Sequence, residues 1–155
     1  MISPAPQDGD KIGGFCQRTH AVLPETNCRA VQALFQESDD LISIAVVDGV
    51  RPVGLVTRFD LSMKLAQNYG FALYADKPIE NVMNRSPLMV EADTGIDELE
   101  KLIASSHPSA MLTGFIVTTG GRFFGVGDAL SLLAFNVERT KHRNRILAAA
   151  RAEAE

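Results

Sequence analysis

Apolar residues fall along this chain in two matching patterns. The runs at 42–47 and 115–117 are short and rich in Ile, Val and Phe, which predicts buried strands. Gly49-Val50-Arg51-Pro52-Val53-Gly54-Leu55 follows the first run and Gly120-Gly121-Arg122-Phe123-Phe124-Gly125-Val126 follows the second; Gly, Arg and Gly coincide at a spacing of 71 residues. Helical patterns come next, over 60–66 and 129–135. Upstream of each strand, Ala30, Val31, Leu34 and Phe35, and then Ile96, Leu99, Leu102 and Ile103, recur at helical spacing. Val31 and Leu102 keep the same separation of 71. Thr94, with Asp97 three residues on, predicts a weak capping box at the start of the second of these helices. Each unit is then strand, helix, strand, turn, strand, helix. Two copies at so long a period are too few for a solenoid, so the pattern predicts a tandem pair whose halves pack on each other.

Three segments stand outside the pair. Pro4, Pro6, Gly9, Gly13 and Gly14 interrupt any periodicity near the start, which predicts a mobile arm over 1–19. The units then cover 20–67 and 84–137. Between them, 68–83 reads as a connector, because Pro78 disfavours helix at Lys77. The tail 138–155 is made of strong helix formers and stops without a glycine cap or a proline, so the expectation is a helix leading toward a further domain.

Composition narrows the classes. The 155 residues are 46% hydrophobic and 22% charged, enough for one globular core. A net charge of −4 argues against nucleic acid as a partner, since phosphate binding draws on clustered basic charge. Arg139, Lys141, His142, Arg143 and Arg145 do cluster, but with Glu138, Glu153 and Glu155 nearby they read as a solvated helix face. No apolar stretch approaches the ~20 residues of a membrane span, and the first residues have no secretory pattern, so the expected compartment is cytoplasmic. Cys16 and Cys28 form no CxxC and lack a companion His at finger spacing; they read as inert thiols rather than a disulfide or zinc site. His20, His107 and His142 are dispersed, which leaves no metal group. Thr118-Thr119-Gly120-Gly121 lacks the lysine of a phosphate loop and predicts a hairpin turn. Nothing here supplies an activated nucleophile, and the chain reads as non-catalytic.

The most informative stretch is Gly54-Leu55-Val56-Thr57-Arg58-Phe59-Asp60-Leu61, which follows an apolar strand and opens a helix. A glycine, a helix N-terminus and a threonine hydroxyl together can cradle a phosphate. Asp60 can accept from both hydroxyls of a ribose, and Arg58 can offset phosphate charge. Thr57-x-x-Asp60 is equally the spacing of a helix N-cap box, and spacing alone favours the cap.

These residues, with Asp48-Gly49, Pro78-x-x-x-x-Met83 and the degenerate second copy, resemble a tandem pair of cystathionine-β-synthase (CBS) domains, a Bateman module. The resemblance implies an α/β (α+β) fold of two β-α-β-β-α units packed through their sheets about a pseudo-twofold axis. It implies ligand-binding roles for Gly54, Thr57, Arg58 and Asp60, with Thr57 toward phosphate and Asp60 toward ribose. The implied ligands are adenine nucleotides (AMP, ADP or ATP) or S-adenosylmethionine. The second copy departs from the pattern: Asp128 stands where threonine is expected and Ser131 where the ribose acid is expected. A carboxylate repels a phosphate, and one hydroxyl is a poor substitute for a bidentate acceptor, so one conventional site per chain is expected.

The connector Ala66-Gln67-Asn68-Tyr69-Gly70-Phe71 is similar to that of CBS pairs that precede histidine kinase or diguanylate cyclase domains, and the tail from Asn144 resembles the helical linker that enters the dimerisation helix of a sensor histidine kinase. On that resemblance the expected function is a homodimeric regulatory module that senses a ligand and relays through its C-terminal helix to a covalently linked signalling domain. The alternatives are a stand-alone pair regulating a partner in trans and a ligand-free dimerisation scaffold.

Overall fold

Asn27 starts the first helix by accepting a hydrogen bond from the Ala30 amide on its side-chain oxygen, at 2.8 Å. From there Val31 and Phe35 turn one face of helix α1 (Cys28–Glu37) inward. The computed structural model describes residues 11–14, 16 and 21–154. Most of the expected N-terminal arm, and His20, lie outside the described residues.

The first unit runs β1 (Ala21–Val22), α1, β2 (Ser43–Asp48), β3 (Arg51–Thr57) and α2 (Arg58–Ala66). The second runs β4 (Met89–Glu91), α4 (Ile96–Ser106), a short α5 (Ala110–Thr113), β5 (Phe115–Thr119), β6 (Arg122–Gly127) and α6 (Ala129–Ala154). Between them lies α3 (Gly70–Tyr74). Each unit holds a three-stranded sheet in which the first strand is parallel to the second and the second antiparallel to the third. This is the mixed α+β architecture expected from the repeat.

The spacing of 71 survives in the register. Val46 pairs with Gly54 and is followed by a bulge; Val117 pairs with Gly125 and is followed by a bulge. Gly120 and Gly121 both have positive φ, 59° and 80°, as the two central residues of a type I′ hairpin require, and the expected turn is found there. Glu91 fixes that turn by accepting from the Gly120 amide at 2.9 Å, the Gly121 amide at 3.3 Å and the Thr118 hydroxyl at 3.2 Å.

The units meet sheet against sheet. Ala45, Val47 and Leu55 of the first pack against Ile116 and Val126 of the second, all buried. The other face of each sheet packs on its own helices, through Val31, Phe35, Ile44, Val56 and Leu61 in one unit and Leu99, Ile103, Phe115, Val117 and Leu132 in the other. Both sheets are therefore apolar on two sides, which is why strand β2 reads as an unbroken hydrophobic run rather than an alternation.

Several local expectations are corrected. Helix α4 begins after Gly95, whose position carries no side-chain cap, so Thr94 does not form the expected capping box. The Thr94 carbonyl instead accepts from the Ile12 amide at 3.1 Å. Ile12 itself is fully buried in the second unit's core, so this part of the segment expected as an arm is docked. The connector is also more than a link. Ile79 lies fully buried in the first unit, and the carbonyls of Lys77 and Ala75 accept from the Cys28 and Arg29 amides at 2.9 and 2.8 Å. Those bonds satisfy first-turn N–H groups of α1 that the helix cannot satisfy itself. The tail is continuous with the second unit's last helix: α6 is a single helix of 26 residues, about 39 Å long, whose residues 140–152 are exposed.

Candidate functional site

Thr57 is the last residue of β3 and the N-cap of α2, with extended backbone angles of −98° and 152°. Its Oγ1 accepts from the Asp60 amide at 3.0 Å. The capping geometry read from the spacing is therefore present. The cap uses the oxygen of this buried threonine as acceptor and leaves its O–H without an acceptor among the described residues. Asp60 sits one turn on, exposed, and its carboxylate makes no hydrogen bond or ion pair among the described residues. Cap and ligand contact thus draw on different atoms of this pair.

Thr57, Arg58 and Asp60 line one cleft of about 750 Å³, together with Asp39, Leu41, Ile42, Phe59 and Ser62 of the first unit and Leu112 and Thr113 of the second. The cleft lies between the two units. It has an apolar wall of Leu41, Ile42, Phe59 and Leu112 and a polar edge of Thr57, Asp60 and Thr113, the mixture that suits a flat heteroaromatic group carrying hydroxyls. Phe59 is 71% and Leu112 82% exposed, so both have apolar surface available to cover a ligand.

Arg58 does not stand as a free phosphate partner. Its Nε donates to the Leu41 carbonyl at 3.0 Å, its terminal nitrogen donates to the Ser38 carbonyl, and its guanidinium lies over the Phe35 ring, 5.2 Å from the centroid. The Arg58 amide donates to the Ile42 carbonyl at 2.8 Å as well. The residue clamps the loop between α1 and β2, which forms one wall of the cleft, with its Nε and one terminal nitrogen engaged there. Gly54 is not part of the lining. A β-carbon there would collide with the Met83 side chain, 2.8 Å from Cγ, and stand 3.0 Å from the Asn84 carbonyl oxygen. The close approach that this glycine permits is made where the connector ends, by Met83 and by Asn84, which exchanges backbone hydrogen bonds with Leu55 at 2.8 and 3.0 Å.

In the second unit Asp128 holds the position equivalent to Thr57 and does the same structural work, its Oδ1 accepting from the Ser131 amide at 2.7 Å. Here the cap itself is the carboxylate. A negative charge at the head of α6 complements the helix dipole.

Sequence reasoning missed Leu112 and Thr113, which come from the other unit. The repeat held the signal: Leu41-Ile42 and Leu112-Thr113 are equivalent at the spacing of 71, each pair just ahead of a central strand, and both line this cleft. Among the described residues no three His, Cys, Asp or Glu side chains gather as metal ligands would. Cys28 is fully buried, and burial pushes its thiol pKa up. No helix among the described residues is long and apolar enough to cross a membrane.

Residues 18–67 match the CBS domain family. No curated protein matches the sequence. Among solved structures, a putative acetoin utilization protein (AcuB) from Vibrio cholerae aligns with a TM-score of 0.72 at 15% identity, over 87% of this chain and 96% of its own. The CBS-pair protein CBSX2 from Arabidopsis thaliana, in its complex with AMP, aligns with a TM-score of 0.66 at 20% identity, over 84% of this chain and 98% of its own. The CBS domain pair of MJ0100, in complex with 5′-methylthioadenosine and S-adenosyl-L-methionine, aligns with a TM-score of 0.66 at 16% identity, over 83% of this chain and 97% of its own. Residues 18–67 thus match a CBS domain, and the second unit, with the same strand order and register, completes a fold shared along most of the length with solved CBS-pair structures.

Proposed function

We propose that the chain is a non-catalytic regulatory module that binds an adenine nucleotide or an S-adenosyl compound in the cleft at Thr57 and Asp60. The observation that carries this reading is the Asp60 carboxylate, without a partner among the described residues, beside the Thr57 hydroxyl at the edge of an apolar cleft between two units. A carboxylate there can accept from both ribose hydroxyls while the hydroxyl donates to a phosphate or ribose oxygen. Two solved CBS pairs of this fold hold AMP or methylthioadenosine and S-adenosylmethionine, which supports the ligand class.

A ligand that touches both units stabilises one arrangement of them over another, and the unit carrying Leu112 and Thr113 also carries α6. The module therefore passes its state along α6 as a homodimer. The recipient in this reading is a covalently linked signalling domain, a histidine kinase or diguanylate cyclase, in the cytoplasm. A pair acting in trans is the second reading, supported by the 96% of the CBSX2 chain that this chain spans.

The test is a thermal-shift panel of AMP, ADP, ATP, S-adenosylmethionine and methylthioadenosine, with Asp60→Ala as control. A ligand at ~100 times its Kd adds ~2.7 kcal/mol, which is several degrees for a chain of this size. A shift lost in Asp60→Ala establishes the site. No shift with any of the five overturns it and leaves the pair as a scaffold.

A further inference from the structure

A nucleotide phosphate needs hydrogen-bond donors, and at the head of α2 several are already engaged. The Arg58 amide donates to the Ile42 carbonyl at 2.8 Å and the Asp60 amide to Thr57 Oγ1 at 3.0 Å. First-turn amides of this kind hold an anion where a helix N-terminus is left open. The Arg58 side chain keeps its charge but has its Nε and one terminal nitrogen on the Leu41 and Ser38 carbonyls. In the second unit's contribution to the cleft, the Thr113 hydroxyl is taken up by the Ser109 and Gly114 carbonyls, at 3.2 and 3.1 Å.

The groups left over are negative. Asp39 and Asp60 both line the cleft, and their carboxylates make no hydrogen bond or ion pair among the described residues. Arg58 is the one cation among the lining residues, so carboxylates outnumber cations two to one. A third carboxylate stands close by. Asp128 lies beside Gly114, the residue after Thr113, with its β-carbon 3.9 Å from the position a β-carbon on Gly114 would take. Phe59 adds an exposed aromatic ring to the same cleft. A ring face beside carboxylates attracts a soft organic cation, whereas a phosphate, with a charge of about −1.5 to −2 at pH 7, is repelled there.

We infer that this cleft selects among adenosyl compounds by the charge of the 5′ substituent, taking a sulfonium ahead of a neutral thioether and a thioether ahead of a phosphate, and that Asp39 is a specificity-determining residue. The inference rests on the adenosyl reading of the cleft given above and states which members of that class it takes. Asp39 lies outside the Thr57-x-x-Asp60 motif, on the turn after α1. The carbonyls that Arg58 holds, those of Ser38 and Leu41, flank it on both sides, so the turn that carries this charge is fixed at the rim. Because Asp39 is exposed, its field is partly screened, and its effect is several-fold rather than many orders of magnitude.

The experiment is calorimetric titration of the full chain with S-adenosylmethionine, methylthioadenosine and AMP, with circular dichroism to confirm that each variant is folded. Kd is expected to rise in that order, by at least about tenfold from the first to the last. In Asp39→Asn, S-adenosylmethionine should bind more weakly and AMP more tightly, each by roughly two- to threefold, with methylthioadenosine unchanged. A merely structural role would move all three in one direction. Asp39→Lys should enlarge both shifts, and added salt should narrow the parent's preference. AMP bound as tightly as S-adenosylmethionine, or more so, overturns the charge selection and leaves the adenosyl site standing. The expected preference without opposite shifts in Asp39→Asn overturns the role of Asp39. Binding of none of the three overturns the inference together with the reading on which it rests.

Discussion

Gly114 and Ser43 are equivalent residues of the two units, 71 positions apart, and they touch: a β-carbon on Gly114 would stand 3.0 Å from the Ser43 Oγ and 2.8 Å from the Gly127 carbonyl oxygen. Gly114 also has φ of 81° and ψ of −176°, a conformation open to glycine and costly to other residues.

Gly114→Ala is therefore expected to lose about 2–3 kcal/mol in urea unfolding, from backbone strain and from the collision between units. Adding Ser43→Ala removes only the hydroxyl contact. The double variant should recover less than half of the loss, because the Gly127 carbonyl remains in place.

The cap and the ligand role of the first motif separate by substitution. Thr57→Ala loses the acceptor for the Asp60 amide and should cost about 1 kcal/mol, while Thr57→Ser retains it and should cost much less. Asp60→Asn removes a charge with no partner among the described residues, so stability should change by under ~1 kcal/mol, the scale of a helix-dipole contribution. Nucleotide affinity measured by calorimetry should fall markedly in the same variant. Stability and affinity falling together in Asp60→Asn would show the residue to be structural.

Arg58→Lys keeps the charge and loses the fork that reaches the Leu41 and Ser38 carbonyls. A loss of about 1–2 kcal/mol is expected, with faster amide exchange in the loop 38–42. If Arg58 acted on a phosphate instead, lysine would preserve stability and the effect would appear only in nucleotide binding.

Cys28 gives the chain a pH dependence of known sign. Its thiol, ordinarily near 9.0, is raised by burial, so the folded state holds a proton that the unfolded state releases first. The stability it contributes is fully present below the unfolded pKa and falls as pH rises from there through the folded value. Cys28→Ala should flatten the loss of stability above about pH 8.5, the range in which a free thiol ionises, though it costs packing in a fully buried position. Thiol-reagent labelling of the native chain should reach Cys28 only on unfolding.

Much of this architecture was legible in the repeat. Two glycines and an arginine at a spacing of 71 located both hairpins, and the helical apolar rows located α1 and α4, because strand and helix periods are local properties of the chain. The Thr57 cap was legible for the same reason. Arg58 was not, since its carbonyl partners lie 17 and 20 residues away in a loop whose path only packing sets. Gly54 misled because the sequence shows that something approaches its backbone but not what does, and the connector proved to be the neighbour.

What the sequence determined by itself was the pair of units, the order of elements within each, and the Thr57 helix cap, all of which follow from hydrogen bonds and apolar periods within a few residues. What the tertiary structure decided was everything that joins distant segments. It set Leu112 and Thr113 across the cleft from Asp60 and placed Ile12 and Ile79 in the two cores. Those relations depend on which face of each sheet meets the other, and the burial of both faces removes the polar alternation that would have marked that choice in the sequence.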